Sequence, residues 1–261
     1  MWTLARDAAV PLWRRAPAAG AAPAGAVLAF STRQGGVSEG PYRSLNVGRS
    51  TADRPEAVAE NRRRVLAALG LDPGHLATAG QVHGRDVARV TQAGLHAACD
   101  ALVTTIPGVA LAVTGADCLP LLFEAPGAVG VAHSGWRGTL AGAPEAALAA
   151  VCGAAGAGPG AVRVHLGPCI RICCYEVGED VATQFPAEAV RRIADRMHLD
   201  LARAARLRLL DAGVADGSIH DVDACTACAP EGYFSHRRDH GITGRQWGLA
   251  ALGERSIARG M

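Results

Sequence analysis

The sequence predicts an α/β fold: a single-domain layered sandwich with a mixed central sheet flanked by helices. Three observations predict it. Of the 261 residues, 49% are apolar and 19% charged, which supports a substantial core and argues against disorder. Short β-like runs follow one another closely between Leu76 and Ala132, several apolar on both parities, as in strands covered on two faces. Longer segments with helical punctuation stand before and after them. No internal repeat and no long linker interrupts the chain, so residues 26–261 read as one domain.

Each element has its own warrant. Residues 1–25 are rich in Ala, Pro and Gly and predict a flexible lead-in. Arg14-Arg15 stand where a twin-arginine signal would, but Ala16 to Ala26 lack the apolar bulk of a signal core. A first strand is expected at Val27 to Phe30, followed by an irregular polar loop from Ser31 to Gly40. Asp53 reads as the N-cap of a helix with Pro55 in its first turn and its end near Gly70. In that helix Val58, Val65, Leu66 and Leu69 form the apolar stripe, and Arg62, Arg63 and Arg64 are assigned to a solvated face. Strands are expected over Leu76 to Val82, Val87 to Val90, Ala101 to Thr105, Ala110 to Thr114, Leu119 to Phe123 and Ala128 to Ala132. The alanine-rich stretch from Gly138 to about Val151 reads as a helix. Gly153 to Gly160 is a glycine-rich turn without dinucleotide or P-loop spacing, so it is given no phosphate role. A strand near Val162 to Leu166, a helical region from about Ala187 to Ala212, and strands near Ile219 to Val222 and Gln246 to Ala251 complete the chain.

Composition excludes several function classes. The formal charge is +2, and the basic residues, all arginine, are spread along the chain. Binding to nucleic acid wants a concentrated basic face, so no nucleic-acid partner is expected. No apolar run approaches the roughly 18 residues of a membrane span, and a cytoplasmic location without membrane attachment is expected. The eight cysteines are irregularly spaced in a chain too large to need disulfide staples, and most read as buried reduced thiols. Cys225-Thr226-Ala227-Cys228 has the spacing of half a structural zinc site or of a redox pair; without a second such pair it is read as structural. Cys173 and Cys174, being adjacent, do not readily join to each other.

Three short stretches carry the chemistry: Gln81 to Gly84, Ala116 to Pro120 and Ala132 to Gly138. Each sets an imidazole or thiol (His83, Cys118, His133) at the end of a β-like run, beside small residues that admit a ligand. Two histidines and a cysteine suit zinc, and three protein ligands leave a tetrahedral ion one position for water or substrate. Singly, each residue is as well read as a satisfied polar group; together they point to a catalytic metal. Asp117 and Cys118, neighbours in an extended segment, should point to opposite faces. The turn from Ser134 to Gly138 adds backbone N–H groups at a helix start, beside Arg137. Arg33, Arg237, Arg238 and Arg245 stand in loops, where a guanidinium can hold phosphate or simply meet solvent.

These residues, with Phe30 to Ser38, Gly40 to Asn46, Glu60 to Arg63, Leu166 to Pro168, Cys174 to Gly178, Cys225-Thr226 and Phe234 to Asp239, resemble the laccase-domain purine nucleoside phosphorylase family. The match runs in order from about residue 27 to the C-terminus. The resemblance implies a compact α/β sandwich with zinc held by His83, Cys118 and His133, which are also the catalytic candidates. It implies phosphorolysis of adenosine, guanosine, inosine and methylthioadenosine, with adenosine deamination in addition. The candidate substrate and phosphate residues are Arg33, Asn46, Arg137, Arg237 and Arg245. Glu176 and Asp239 are candidates for proton transfer by position. The expected partners are purine nucleosides and phosphate, and the expected assembly a monomer or weak homodimer. Gly115, His236 and the bulky residues around Cys169 to Cys173 depart from the family pattern and leave substrate preference open.

Three rival readings stand beside this one. Copper-dependent polyphenol oxidation would want clustered histidines, and the nine here include no His-x-His pair. An amidase acting on peptidoglycan precursors could use zinc or Cys118 as its nucleophile. A non-catalytic metal or nucleotide-binding protein would tend to close its metal site with a fourth ligand. Zinc lowers the pKa of bound water to about 7, which would serve deamination, yet the usual nucleobase-deaminase signature is absent.

Overall fold

The computed structural model describes residues 1–15 and 25–253. The rest of the expected lead-in and the end of the expected domain lie outside the described residues. Strands in chain order are β1 (Trp2–Leu4), β2 (Leu12–Arg15), β3 (Ala26–Ser31), β4 (Leu76–Ala79), β5 (Val87–Arg89), β6 (Gly94–His96), β7 (Ala101–Thr104) and β8 (Ala110–Gly115). They continue as β9 (Leu119–Ala125), β10 (Ala128–Ser134), β11 (Arg163–Leu166), β12 (Glu176–Val177), β13 (Val190–Ile193), β14 (Arg196–Leu199), β15 (Ile219–Asp221) and β16 (Gln246–Leu252). The helices are α1 (Pro55–Leu69), α2 (Trp136–Ala141), α3 (Ala143–Ala155), α4 (Glu179–Ala182) and α5 (Leu201–Asp211).

The expected α/β layering is present, with its strands divided among three sheets. A seven-stranded sheet runs β1-β2-β3-β16-β8-β4-β6, and a six-stranded sheet runs β15-β11-β9-β10-β7-β5. Both are mixed: β16 is antiparallel to β3 and β8, whereas β4 is parallel to β8 and β5 to β7. A small sheet, β12-β14-β13, lies apart from them in pairing. Alternation along the strands explains the layers. In β9, Leu122 joins Leu28, Phe30, Leu111 and Val131 in a core between the two large sheets. Its neighbours Leu121 and Phe123 face the other way, onto Leu148 and Val151 of α3 and Leu209 of α5. On the far side of the seven-stranded sheet, Val65 and Leu66 of α1 cover Leu12, Ala112 and Trp247. The order is therefore helix, sheet, sheet, helices, and strands buried on both faces read as unbroken apolar runs.

Several expectations change at the level of elements. Residues 1–15, read as lead-in, include β1 and β2, which extend the sheet beyond β3. Their tryptophans anchor them: Trp13 Nε1 donates to Tyr233 Oη at 2.6 Å, and the Trp2 ring packs against Phe30 with centroids 4.9 Å apart and planes tilted by 36°. Arg54, not Asp53, occupies the N-cap of α1; the Asp53 carboxylate instead accepts from Ser38, Asn46 and the Arg54 N–H. Arg62 leaves the solvated face it was assigned. It is 7% exposed, its Nε donates to Val47 O at 2.8 Å, and its guanidinium lies over the Trp247 ring. The helix expected from Gly138 is two helices, α2 and α3, broken at Gly142, whose φ of 93° is a left-handed value. The helical region from Ala187 holds a hairpin, β13 and β14, before α5. Ala194 and Asp195 both have positive φ, the pattern of a tight primed turn, without the Asn-Gly signal that usually marks one.

All eight cysteines are free. Cys99 and Cys169 are buried as expected, whereas Cys173 and Cys228 are exposed because they sit on surface turns. No helix among the described residues is long and apolar enough to cross a membrane.

Candidate metal and substrate site

The three predicted ligands converge. His83 lies in the loop after β4, Cys118 in the turn between β8 and β9, and His133 near the end of β10. The antiparallel pairing of β9 with β10 sets His133 opposite Pro120 and so brings Cys118 beside it. One donor atom from each residue lies within 4.8 Å of the others. The imidazoles meet edge to face, with centroids 4.9 Å apart and planes at 87°. Backbone strain concentrates here: Gln81, His83 and Asp117 all have positive φ, at 60°, 62° and 94°. The Gln81 side chain holds its loop by bonding Thr114, with Oε1 accepting from its N–H and Nε2 donating to its carbonyl.

Asp100, at the entry to β7, organises the group, and sequence reasoning missed it. Fully buried, it accepts from His133 Nδ1 at 2.9 Å, from the His83 N–H at 3.0 Å and from the Gly84 N–H at 2.7 Å. With Nδ1 directed at Asp100, Nε2 is the His133 nitrogen that can take a metal, once it has released its proton. The signal was a lone carboxylate opening an apolar strand, a group that must find partners when buried.

Electrostatics follow from burial and contact. Burial alone would raise the Cys118 thiol, but His133 and then His83 hold it down to about 6. Burial alone would lower His133; Cys118 and Asp100 raise it to about 9. Burial pushes the Asp100 carboxyl up, and its bonds to His133 and the backbone bring it below its ordinary value. A thiolate beside two imidazoles is the donor set that a borderline-soft cation takes. The fit extends to Gly135: a Cβ there would stand 2.9 Å from Cys118 Sγ and 3.4 Å from His83 Cδ2. Only glycine leaves that approach clear. Among the described residues no fourth His, Cys, Asp or Glu donor joins the group.

Asp117 and Cys118 are not in an extended segment: Asp117 turns the chain with φ 94°, and both residues border one cavity. The Asp117 carboxylate accepts from Thr226 Oγ1 at 2.6 Å and from the Arg237 N–H at 2.7 Å, fastening two loops.

His83, Cys118 and His133 line a cavity of about 630 Å³, within the range of small-molecule sites. Arg137, Arg237 and Arg245 line it too, joined by Arg49 and Arg62, which sequence reasoning had not assigned. Arg62 was hidden in a run of three arginines on one helix. Its Nη1 is buried without a hydrogen-bond partner, and burial beside Arg49 lowers it to about 9. Arg33 and Asn46 are not among the lining residues. The Arg33 guanidinium donates to the carbonyls of Arg43 and Pro230. Asn46 is buried and accepts from the Arg245 N–H, so it positions an arginine that does line the cavity. Glu176 pairs with Arg196, and Asp239 with Arg238; neither lines the cavity.

Residues 27–253 match the family model described as multi-copper polyphenol oxidoreductase laccase. The chain belongs to this laccase-domain family. It is similar to a purine nucleoside phosphorylase of Deinococcus radiodurans, 44% identical over 87% of this chain and 89% of that one. It is also similar to the purine nucleoside phosphorylase YlmD of Geobacillus stearothermophilus, 38% identical over 89% of this chain and 91% of the other. The crystal structure of a Bacillus licheniformis hypothetical protein, YfiH, superposes with a TM-score of 0.84 at 32% identity, over 88% of this chain and 97% of that one. The family's copper label and the relatives' phosphorylase names point to different chemistries. Multicopper chemistry would want several histidine-rich groups; among the described residues one group contains histidine.

Proposed function

We propose that this laccase-domain protein is a zinc-dependent purine nucleoside phosphorylase acting on adenosine, guanosine, inosine and methylthioadenosine, with adenosine deamination as a side activity. The observation that carries the reading is one cavity holding both the His83–Cys118–His133 donor set and five arginines. The names of the relatives support the phosphorylase class. Zinc suits the donor set better than copper, and when held there it supplies Lewis acidity and makes a nucleophile of water at neutral pH.

The chain's own residues have defined tasks in phosphorolysis. Phosphate oxygen attacks C1′ of the ribose, the N-glycosidic bond breaks, and its electron pair leaves with the purine. Guanidinium groups hold the phosphate; Arg62, with its unpartnered Nη1, and its neighbour Arg49 have the capacity to do so. Arg137 stacks on Trp136, and its guanidinium has no other side-chain partner among the described residues. The departing purine needs a proton. The Tyr175 hydroxyl lines the cavity and is pushed by burial to about 12, so it retains its proton at neutral pH. The test is to incubate the zinc-loaded protein with adenosine, with and without phosphate. Adenine released only with phosphate is the expected result, with a smaller phosphate-independent yield of inosine. Neither product from a zinc-replete sample would sink the proposal.

One observation favours a second reading. Cys118, His133 and Asp100 form a nucleophile, base and orienting carboxylate in sequence. In a metal-free protein that array could cleave an amide of a peptidoglycan precursor. Metal occupancy separates the two readings, because a zinc-bound thiolate is a poorer nucleophile.

A further inference from the structure

Apart from the histidine-containing group, four thiols meet at the surface. Cys173 and Cys174 lie in the turn between β11 and β12, and Cys225 and Cys228 in the loop after β15. Their sulfurs all lie within 4.8 Å of one another. Cys173 Sγ is 3.6 Å from Cys225 Sγ and 3.5 Å from Cys228 Sγ, and Cys174 Sγ is 3.2 Å from Cys228 Sγ. A tetrahedral zinc with Zn–S bonds of about 2.3 Å sets its four sulfurs roughly 3.8 Å apart. The observed spacing is close to that and well outside the roughly 2.0 Å of a disulfide.

Partners of the thiols are also those of a ligand set. The Arg171 N–H donates to Cys225 Sγ at 3.5 Å, and the Arg171 side chain is held away by Asp221, at 2.7 and 2.5 Å. The two loops are already in register: Cys169 N–H donates to Ala224 O and Thr226 N–H to Cys169 O. Exposure of Cys173 and Cys228 gives an ion a way in. The second pair that the sequence lacked as a Cys-x-x-Cys is thus supplied by two adjacent cysteines some fifty residues upstream.

We propose that Cys173, Cys174, Cys225 and Cys228 form a second metal site, a tetrathiolate that takes zinc and fastens the β11–β12 turn to the loop after β15. Each cysteine coordinates as thiolate and releases its proton to solvent; no electron moves and no oxidant is needed. The site is structural in that four protein ligands close a tetrahedral ion. Its position gives it a consequence for the cavity. Tyr175, next to Cys174, lines that cavity, and Thr226, next to Cys225, donates to Asp117. The inference does not depend on which reaction the cavity supports.

The test compares zinc per chain, by elemental analysis, in untagged full-length protein purified under reductant. Cys173→Ser/Cys228→Ser should carry one zinc fewer than the unaltered chain, and His83→Ala/Cys118→Ala should keep one. Equal zinc in the unaltered chain and the serine variant, or none in His83→Ala/Cys118→Ala, would overturn the proposal. Should the serine variant not fold, cobalt substitution of His83→Ala/Cys118→Ala decides. An intense thiolate-to-cobalt charge-transfer band with tetrahedral ligand-field bands supports the site, and their absence refutes it. Iron in place of zinc, or a Cys174–Cys228 disulfide in the intact mass measured without reductant, would equally refute it.

Discussion

At the scale of residues, Asp100 decides how well the metal group is ordered. It accepts from Nδ1 of His133 and from the backbone N–H of His83, so two of the proposed ligands depend on it. Carboxylates that orient a metal-bound histidine typically contribute 10–100-fold to metal affinity. Asp100→Asn keeps the shape and loses the charge, and should weaken zinc binding by about that factor in a chelator competition. Unchanged affinity would show that the carboxylate merely fills space. His83, Cys118 and His133 were legible in the sequence because each stands beside glycine or proline at the end of an apolar run. Asp100 was not, since its role arises only when β7 pairs with β10, more than thirty residues along. Arg62 was misplaced for a related reason. Helical periodicity assigned it to solvent, but the fold turns that face toward Trp247, where the guanidinium stacks.

At the scale of elements, packing of α3 against the six-stranded sheet rests on a glycine in β10. A Cβ at Gly130 would stand 2.6 Å from Val151 Cγ2 and 3.2 Å from the Leu102 carbonyl. Valine has little rotamer freedom on a helix with which to yield. Gly130→Ala should therefore lower stability by about 1–3 kcal/mol, the usual range for overpacking, read as a lower urea midpoint at unchanged slope. A variant as stable as its parent would mean that α3 shifts freely. The central strands were legible here, because burial on both faces writes itself as unbroken apolar sequence. The small β13–β14 hairpin was not: Val190 to Leu199 is arginine-rich, and its turn pairs Asp195 with Ala194, a residue that disfavours the left-handed backbone it adopts, with no glycine to mark the turn. The edge strands β1 and β2 were hidden by the Ala/Pro/Gly composition around them, although Trp2 and Trp13 supply the anchoring area.

For the whole molecule, acid sensitivity is expected to centre on His165 and Glu124, on the face of the six-stranded sheet that meets Trp2 of β1 and Arg15 of β2. His165 is fully buried; burial, reinforced by Arg15, lowers it to about 4 against an ordinary 6.5. Burial alone would raise Glu124, but the His165 hydrogen bond and Arg15 hold it at about 2 against 4.5. Below pH 6.5 the unfolded chain takes up a proton on His165 that the folded chain refuses, so stability falls as pH drops from about 6.5 to about 4. The Glu124 contribution is present above its unfolded value of 4.5 and is lost as pH falls toward 2. The histidine alone accounts for at most about 3 kcal/mol of the loss. His165→Gln should flatten the decline between pH 6.5 and 4 in denaturant midpoints, and shrink the lower limb as Glu124 loses its His165 partner; an unaltered slope between pH 6.5 and 4 would assign that decline elsewhere.

The layer order itself was only partly legible. An α/β composition with buried strands is visible in sequence, whereas the division into two stacked sheets depends on pairings between strands far apart in the chain. That division gives the donor group a mechanical meaning. His83 follows a strand of one large sheet, His133 ends a strand of the other, and Cys118 sits on the hinge of chain between them. An ion gripped by all three would rivet the stacked layers at one end, so its binding free energy and the cohesion of the sandwich become a single quantity.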